Sequence, residues 1–240
     1  MYEPKIKKYI KKLSYSYAMG TFPTIDLLKY KPGKVLKVLI NSKAWGSDGV
    51  NEVISLCNEK GIKYEVMDSA IAKIAVKENT YTVGIFEKYE TALDPEKNHV
   101  VLDNPSNMGN IGTIIRTMNG FGINDLALIK PAADIFNPTI VRSAMGSLFQ
   151  TRFMYFDSFE KYCEMYKEHN KYMLMLKGAK EIEKVQFKKP YSLVMGNESS
   201  GLPDEYANFG ETVCIPHLKT IDSLNLSIAT AIAIYVSSKQ

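Results

Sequence analysis

The sequence predicts an α/β protein in two parts, the larger, C-terminal one built on a mostly parallel sheet. Two observations lead there. From His99 onward, short apolar runs ("HVVLD", "DLALIK", "RFMYF", "KYMLML", "YSLVMG", "TVCIP") alternate with helical segments, and such alternation gives parallel strands with helices on both faces. Ahead of them lies a shorter α/β pattern that ends in the polar, proline-containing stretch "ETALDPEKN", a natural boundary. The expected domains are residues 1–92 and 98–240.

The N-terminal elements follow from periodicity. "KVLKVLINSK" reads as a strand and "GVNEVISLCNEKG" as an amphipathic helix with Val50, Val53, Ile54 and Cys57 on one stripe. "IKYEVM" and "TYTVGIFEKY" read as further strands,. No internal repeat is visible.

Composition bounds the function classes. The chain has 240 residues, 45% hydrophobic and 23% charged, an ordinary globular balance. Its apolar runs stay short of the roughly 18 residues a membrane span needs, and lysines interrupt "MYEPKIKKYIKKLSY" where a signal peptide would be apolar,; a cytoplasmic location is expected. Cys57, Cys163 and Cys214 are odd in number and lack a CxxC pair. His99, His169 and His217 are scattered. Neither disulfides nor a metal site is expected. The formal net charge of +4 is uneven, because residues 1–40 hold nine lysines against Glu3 and Asp26. This basic region could touch phosphates or could be a solvated face.

Ligands of open parallel sheets gather at the carboxyl ends of strands. Polar, glycine-rich clusters follow three of them here: "HVVLD", "YSLVMG" and "TVCIP". In the first cluster, "DNPSNMGNIGTIIRTMNGFG", Ile111, Ile114, Ile115 and Met118 recur at helical spacing and predict a buried stripe,. Gly112, Thr113, Arg116, Asn119 and Gly120 share the other side. Glycine costs a helix about 1 kcal/mol relative to alanine, so a close neighbour is expected on that side, with Arg116 beside it. That neighbour could be a ligand or simply another helix. Gly109 and Gly112 lack the GxGxxG spacing of a dinucleotide turn, no GK[ST] phosphate loop is present, and "GNIG" lacks the basic residue of an RNA-clamping GXXG,.

The second cluster, "LVMGNESSGLPDEY", is a strand running into a polar turn that carries Glu198. The third, "VCIPHLKTIDSLNLSIATAIAIYV", is a strand, a loop and a helix rich in Ala and Ile, with Ser223 as the expected N-cap and Asn225 in the first turn,. Taken singly, each of these residues has an adequate structural explanation.

Together the three segments resemble the motifs of the SpoU/TrmH family of RNA 2′-O-ribose methyltransferases, in the SPOUT superfamily. The resemblance rests on Asn107, Gly109, Asn110, Gly112 and Arg116, on Gly196, Glu198 and Gly201, and on Ile215, Pro216, Ser223, Leu224 and Asn225. "NPTIVRSAMGSLF", between the first and second, also matches. The N-terminal part resembles the family's L30e-like RNA substrate-binding domain by pattern alone.

The resemblance implies a deep trefoil knot, a homodimer with the active site at or near its interface, S-adenosylmethionine as cofactor, and methylation of a ribose 2′-OH in structured RNA. Ribosomal RNA is the expected substrate, with transfer RNA, or RNA binding without catalysis, as alternatives. It places cofactor contacts on Met195, Gly196, Asn197, Gly201, Ile215 and Leu224. The catalytic set would be Arg116, Asn107, Glu198, Ser223 and Asn225, the last four orienting Arg116 and the ribose. One departure stands out. Where family members commonly have Met and then a glycine-containing stretch after Ile-Pro, this chain has His217, Leu218, Lys219 and Thr220, which bears on cofactor affinity.

Overall fold

A computed structural model describes residues 4–176, 179–218 and 220–240. Along the chain run β1 (Tyr15–Met19), α1 (Thr21–Tyr30), β2 (Val35–Ile40), α2 (Asp48–Lys60), β3 (Tyr64–Val66), α3 (Asp68–Ile74) and β4 (Thr82–Glu87). Next come β5 (His99–Asp103), α4 (Met108–Gly120), β6 (Asp125–Ile129), α5 (Pro138–Ser143), β7 (Arg152–Phe156), α6 (Phe159–Met165) and β8 (Asn170–Leu174). Last are β9 (Lys180–Glu181), β10 (Tyr191–Met195), β11 (Glu211–Cys214) and α7 (Leu226–Ser238). The six strands expected after residue 98 all form; β1, α1 and α3 are elements the periodicity did not reveal.

The chain divides into two compact units, one holding the residues up to Tyr89 with Asp134–Gln150, the other Glu90–Ala133 with Thr151–Gln240. The segment "NPTIVRSAMGSLF", which the sequence reading keeps in the C-terminal part, thus belongs to the first unit. The reason is packing. Phe136 and Phe149 set their rings 5.9 Å and 5.2 Å from Phe86, and the Ser16 hydroxyl donates to the Phe136 carbonyl. At Gly146, with φ +94°, an added Cβ would lie 2.2 Å from an Asp26 carboxylate oxygen, so only glycine fits that turn.

The first unit carries a four-stranded sheet in the order β1-β4-β2-β3, antiparallel except for β2 with β3. On α2, Val50, Val53 and Cys57 are buried, as the stripe predicts, and the helix stops at Gly61 in the left-handed region,.

The second unit carries a seven-stranded sheet, β7-β6-β5-β10-β8-β11-β9, parallel throughout. Both faces of its central strands are covered, which is why β5 and β10 read as unbroken apolar runs. Ile111, Ile114, Ile115 and Met118 are fully buried under α4. Four such side chains stabilise the helix on the sheet by roughly 6–12 kcal/mol before conformational entropy is subtracted. Against α4 packs α7.

Near the amino ends of the strands, His99 and His169 meet, although they are far apart in sequence. Their rings lie 4.3 Å apart, and each Nε2 sits on a backbone carbonyl, of Asp94 (2.8 Å) and Pro95 (2.9 Å). Tyr162 and Ser192 link the two Nδ1 atoms. Burial, chiefly, pushes the His99 imidazole down to about 4, so this pair braces the sheet as neutral rings. The three cysteines are free thiols.

Candidate active site

A pocket of about 420 Å³ opens at the carboxyl ends of β8, β10 and β11. Its central wall is the loop after β10. There the chain reverses on itself, with Asn197 N–H donating to the Gly201 carbonyl (3.2 Å) and Gly201 N–H returning the bond (3.0 Å). The Asn197 side chain accepts from Ser199 N–H (2.9 Å), closing an Asx turn, and donates to the Asn104 carbonyl (2.7 Å), tying this loop to the one after β5,. Gly196 sits where the loop folds back. A Cβ there would come within 2.1 Å of the Gly201 carbonyl carbon and 2.3 Å of Leu202 N. Backbone atoms cannot move aside, so the close return of the chain demands glycine.

Glu198 fastens the two loops more firmly. Its carboxylate accepts from Asn107 N–H (3.0 Å), Ser106 hydroxyl (3.1 Å) and Ser106 N–H (3.4 Å), with Asn110 Nδ2 at 3.5 Å. Partial burial alone would raise its pKa, but the backbone and hydroxyl donors together outweigh burial and hold the carboxyl below its ordinary value,. The ionised form is thus the one the loops are built around.

Asn107 caps α4, its side chain accepting from Gly109 N–H (2.9 Å) and Asn110 N–H (3.1 Å),. An added Cβ on Gly109 would approach that same cap oxygen at 3.2 Å. Asn225 caps α7 in the same way, accepting from Ser227 N–H (2.9 Å) and donating to Asn110 Oδ1 (3.2 Å). The expected cap on Ser223 is therefore corrected. The helix begins two residues later, because an asparagine oxygen meets the first free amides there, and Ser223 is left as an exposed hydroxyl lining the pocket.

The six residues expected to contact a cofactor, Met195, Gly196, Asn197, Gly201, Ile215 and Leu224, all line this pocket, as do Glu198 and Ser223. Asn107 and Asn225 stand behind it in the hydrogen-bonded network. Arg116 joins neither group. It lies exposed on α4 and makes no hydrogen bond or ion pair among the described residues. Eight residues from the start of α4, it sits roughly 12 Å along the axis. None of Asn107, Glu198, Ser223 and Asn225 hydrogen-bonds to Arg116 among the described residues. Within the chain, that side of α4 is partly covered. Gly112 is buried, Asn119 bonds to Asn124, and an added Cβ on Gly120 would meet nothing within 4 Å.

Sequence reasoning missed the wall supplied by Leu174, Met175 and Leu176 after β8. A polar, glycine-bearing stretch follows "KYMLML" as it follows "HVVLD" and "YSLVMG", and that signal could have found it. His217 lines the pocket with Nδ1 on the Ile215 carbonyl (2.9 Å); Lys219, the other departure, lies outside the described residues. Among those described, no group of three or more His, Cys, Asp or Glu side chains could hold a metal ion, and no helix is long and apolar enough to cross a membrane.

A mixed apolar and main-chain pocket beyond the carboxyl ends of parallel strands marks an α/β protein built to hold a small molecule there. Residues 97–235 match the SpoU rRNA Methylase family, and the chain belongs to that family. The 23S rRNA (uridine(2479)-2′-O)-methyltransferase of Streptomyces viridochromogenes is 30% identical over 149 residues, 59% of this chain and 52% of that protein. The chain spans about half the length of the curated relatives it matches first. An AdoMet-bound rRNA methyltransferase from Sinorhizobium meliloti superposes with a TM-score of 0.79 at 28% identity, over 94% of this chain and 87% of that one. A shorter structure, solved for 2-OH methylation of C/U34 on tRNA, gives 0.56 at 27% identity over 61% of this chain and 97% of its own. The parallel seven-stranded sheet is thus the fold of this methyltransferase family.

Proposed function

We propose that this protein is an S-adenosylmethionine-dependent methyltransferase acting on a ribose 2′-OH of structured RNA, with ribosomal RNA as substrate. The observation that carries the reading is the pocket walled by the Gly196–Gly201 reversal, in a chain of this family. Its volume falls within the roughly 300–1,000 Å³ of small-molecule sites. Its chemistry fits the cofactor: Leu174, Met195, Leu224 and Leu226 offer apolar walls, and the strand ends offer main-chain groups.

Met195, Gly196, Asn197, Gly201, Ile215 and Leu224 would hold the cofactor. When bound, it supplies an electrophilic methyl group on a sulfonium. Glu198 and Asn107 keep the pocket wall rigid, and the Ser223 hydroxyl faces the space where a ribose would enter. A guanidinium makes a poor general base, so Arg116 is assigned a binding role. Its unpaired fork of donors suits a target phosphate and a developing alkoxide, while the 2′-OH proton leaves to a phosphate oxygen or to water. Positioning of this kind can supply roughly 7–11 kcal/mol of a barrier, against about 10²- to 10⁴-fold from general-base help.

The reading includes a homodimer, since Arg116 stands outside its own pocket. Exposed apolar side chains on and beside α4 and α7, among them Met108, Phe121, Ile228 and Tyr235, would cover one another in a second copy. It also includes the trefoil knot, an L30e-like first unit that selects the RNA, and a cytoplasmic site of action.

The test is to incubate the protein and its Arg116→Ala variant with labelled S-adenosylmethionine and total RNA lacking the modification, then map alkali-resistant sites. A single ribosomal site made by the wild type and absent with the variant is the expected result. A site in transfer RNA would move the substrate class, and cofactor binding without transfer to any RNA would favour RNA binding without catalysis.

A further inference from the structure

The N-terminal lysines are held in an arrangement the chemistry of methyl transfer does not require. Lys5, Lys7, Lys8, Lys11 and Lys12 fall within eight residues and are all exposed. None forms a hydrogen bond through its side chain or an ion pair among the described residues. A run of like charges normally stays solvated and disordered. Here the backbone is fastened down. The Tyr15 hydroxyl donates to the Lys5 carbonyl, and Tyr17 donates to the Lys7 carbonyl (2.6 Å) while receiving Lys7 N–H (3.3 Å). Ile6, Tyr9 and Leu13 pack against the buried cluster of β1 and β4. The Tyr9 hydroxyl bonds to Asp134, whose carboxylate is also paired with Lys88 at 3.1 Å. Burial raises the Tyr17 phenol, so this anchor stays protonated.

We infer that residues 5–12 form a prefolded strap that binds the phosphate backbone of the RNA, independently of sequence. The inference rests on the RNA substrate proposed above. Three inward side chains and three hydrogen bonds to Tyr15 and Tyr17 fix the segment, and the lysines turn outward as a consequence. Eight residues reach at most about 26–29 Å, enough to follow several phosphates. The entropy of ordering the segment is met in folding rather than on binding, which favours a pre-organised contact. An anionic membrane is the weaker occupant, because the strap is not helical and exposes only Ile10 as a large apolar side chain.

The test compares three full-length proteins: wild type, a strap variant with Lys5, Lys7, Lys8, Lys11 and Lys12 each changed to Gln, and a control with Lys43, Lys73, Lys77, Lys97 and Lys167 changed likewise. RNA affinity is read by anisotropy on an unmodified ribosomal RNA fragment across a salt series, with S-adenosylmethionine calorimetry as the check on folding. Five lost contacts should lower the slope of log K against log salt by about 3.5 and weaken binding on the order of 10²- to 10³-fold near 0.1 M salt. The control should stay within about threefold of wild type, and methyl transfer by the strap variant should show a raised KM with kcat kept. Equal losses in both variants, or an unchanged slope in the strap variant, would overturn the strap. So would strap-dependent binding to vesicles of anionic lipid with RNA affinity intact. If wild type methylates RNA and the strap variant does so equally well, the strap fails and the proposed function stands. If RNA binding depends on the strap but wild type transfers no methyl group, the strap stands and the proposed function fails.

Discussion

The loops around the pocket and the basic strap of the first unit use charge in opposite ways. Glu198 is saturated, with donors from Ser106, Asn107 and Asn110 converging on one carboxylate. The strap lysines, and Arg116 on α4, have nothing to bind among the described residues. A saturated group spends its hydrogen-bonding capacity on shape. An ordered but unsaturated one is available to something outside. By that criterion Glu198 and Asn107 shape the loops, while Arg116 and the strap lysines have the unsaturated donors that the proposed RNA contacts require.

The strongest way to break this distinction is Arg116→Ala. Methyl transfer should fall by about 10²-fold or more, while stability changes by less than about 0.5 kcal/mol because no internal contact is lost. Arg116→Lys should recover little of the rate if two parallel donors are needed; a lysine enzyme with near-normal kcat would refute the bidentate role. Next in size is Gly196→Ala, set beside Gly210→Ala. Both force a Cβ onto backbone, 2.1 Å from Gly201 and 2.2 Å from the Lys171 carbonyl respectively, and each should cost roughly 1–3 kcal/mol in chemical denaturation. Only the first alters the pocket, so calorimetry should show cofactor affinity lost with Gly196→Ala and kept with Gly210→Ala.

Glu198→Gln should destabilise by about 1–3 kcal/mol through weakened charge-assisted bonds. The sign of its pH dependence is set by its lowered pKa: the native state favours the carboxylate, so its contribution is present above the unfolded value, near 4.3, and is lost as pH falls through the folded one. The variant should lack this acid limb. The buried imidazoles act in a higher pH window than Glu198. His99 is depressed to about 4, so the unfolded chain takes up the extra proton. Stability is complete above about 6.5 and declines as pH drops from there toward 4. Urea midpoints at pH 7 and pH 5 should show the decline in wild type and in Glu198→Gln alike, which separates the two windows.

Much of the second unit was legible because all its strands except β9 are short apolar runs between polar turns, and because Ile111, Ile114, Ile115 and Met118 keep helical spacing. Around the pocket, the polar clusters after "YSLVMG" and "TVCIP" named most of the wall. The wall after β8 was overlooked because Met175 and Leu176 look like a continuation of the strand. Ser223 was misread as a cap because a serine and an asparagine two residues apart are equally good candidates on paper, and only the direction of the Ser227 amide chooses between them. The whole of β1 and α1 escaped notice, since "YSYAMGTFPTIDLLKY" has tyrosines, threonines and a proline where a periodic stripe would be read.

The sequence by itself determined the parallel sheet, the buried stripe of α4, the identity of the three loops and the family, because these depend on local periodicity and on residues at fixed spacing. Only the tertiary structure decided that residues 134–150 pack with the first unit, that His99 and His169 share one buried network, that Glu198 is internally satisfied and that Arg116 is not. Each of those is a contact, or the lack of one, between residues distant in sequence. Its energy comes from desolvation and hydrogen-bond geometry that exist only once the sheets have formed, so no window on the linear chain contains it.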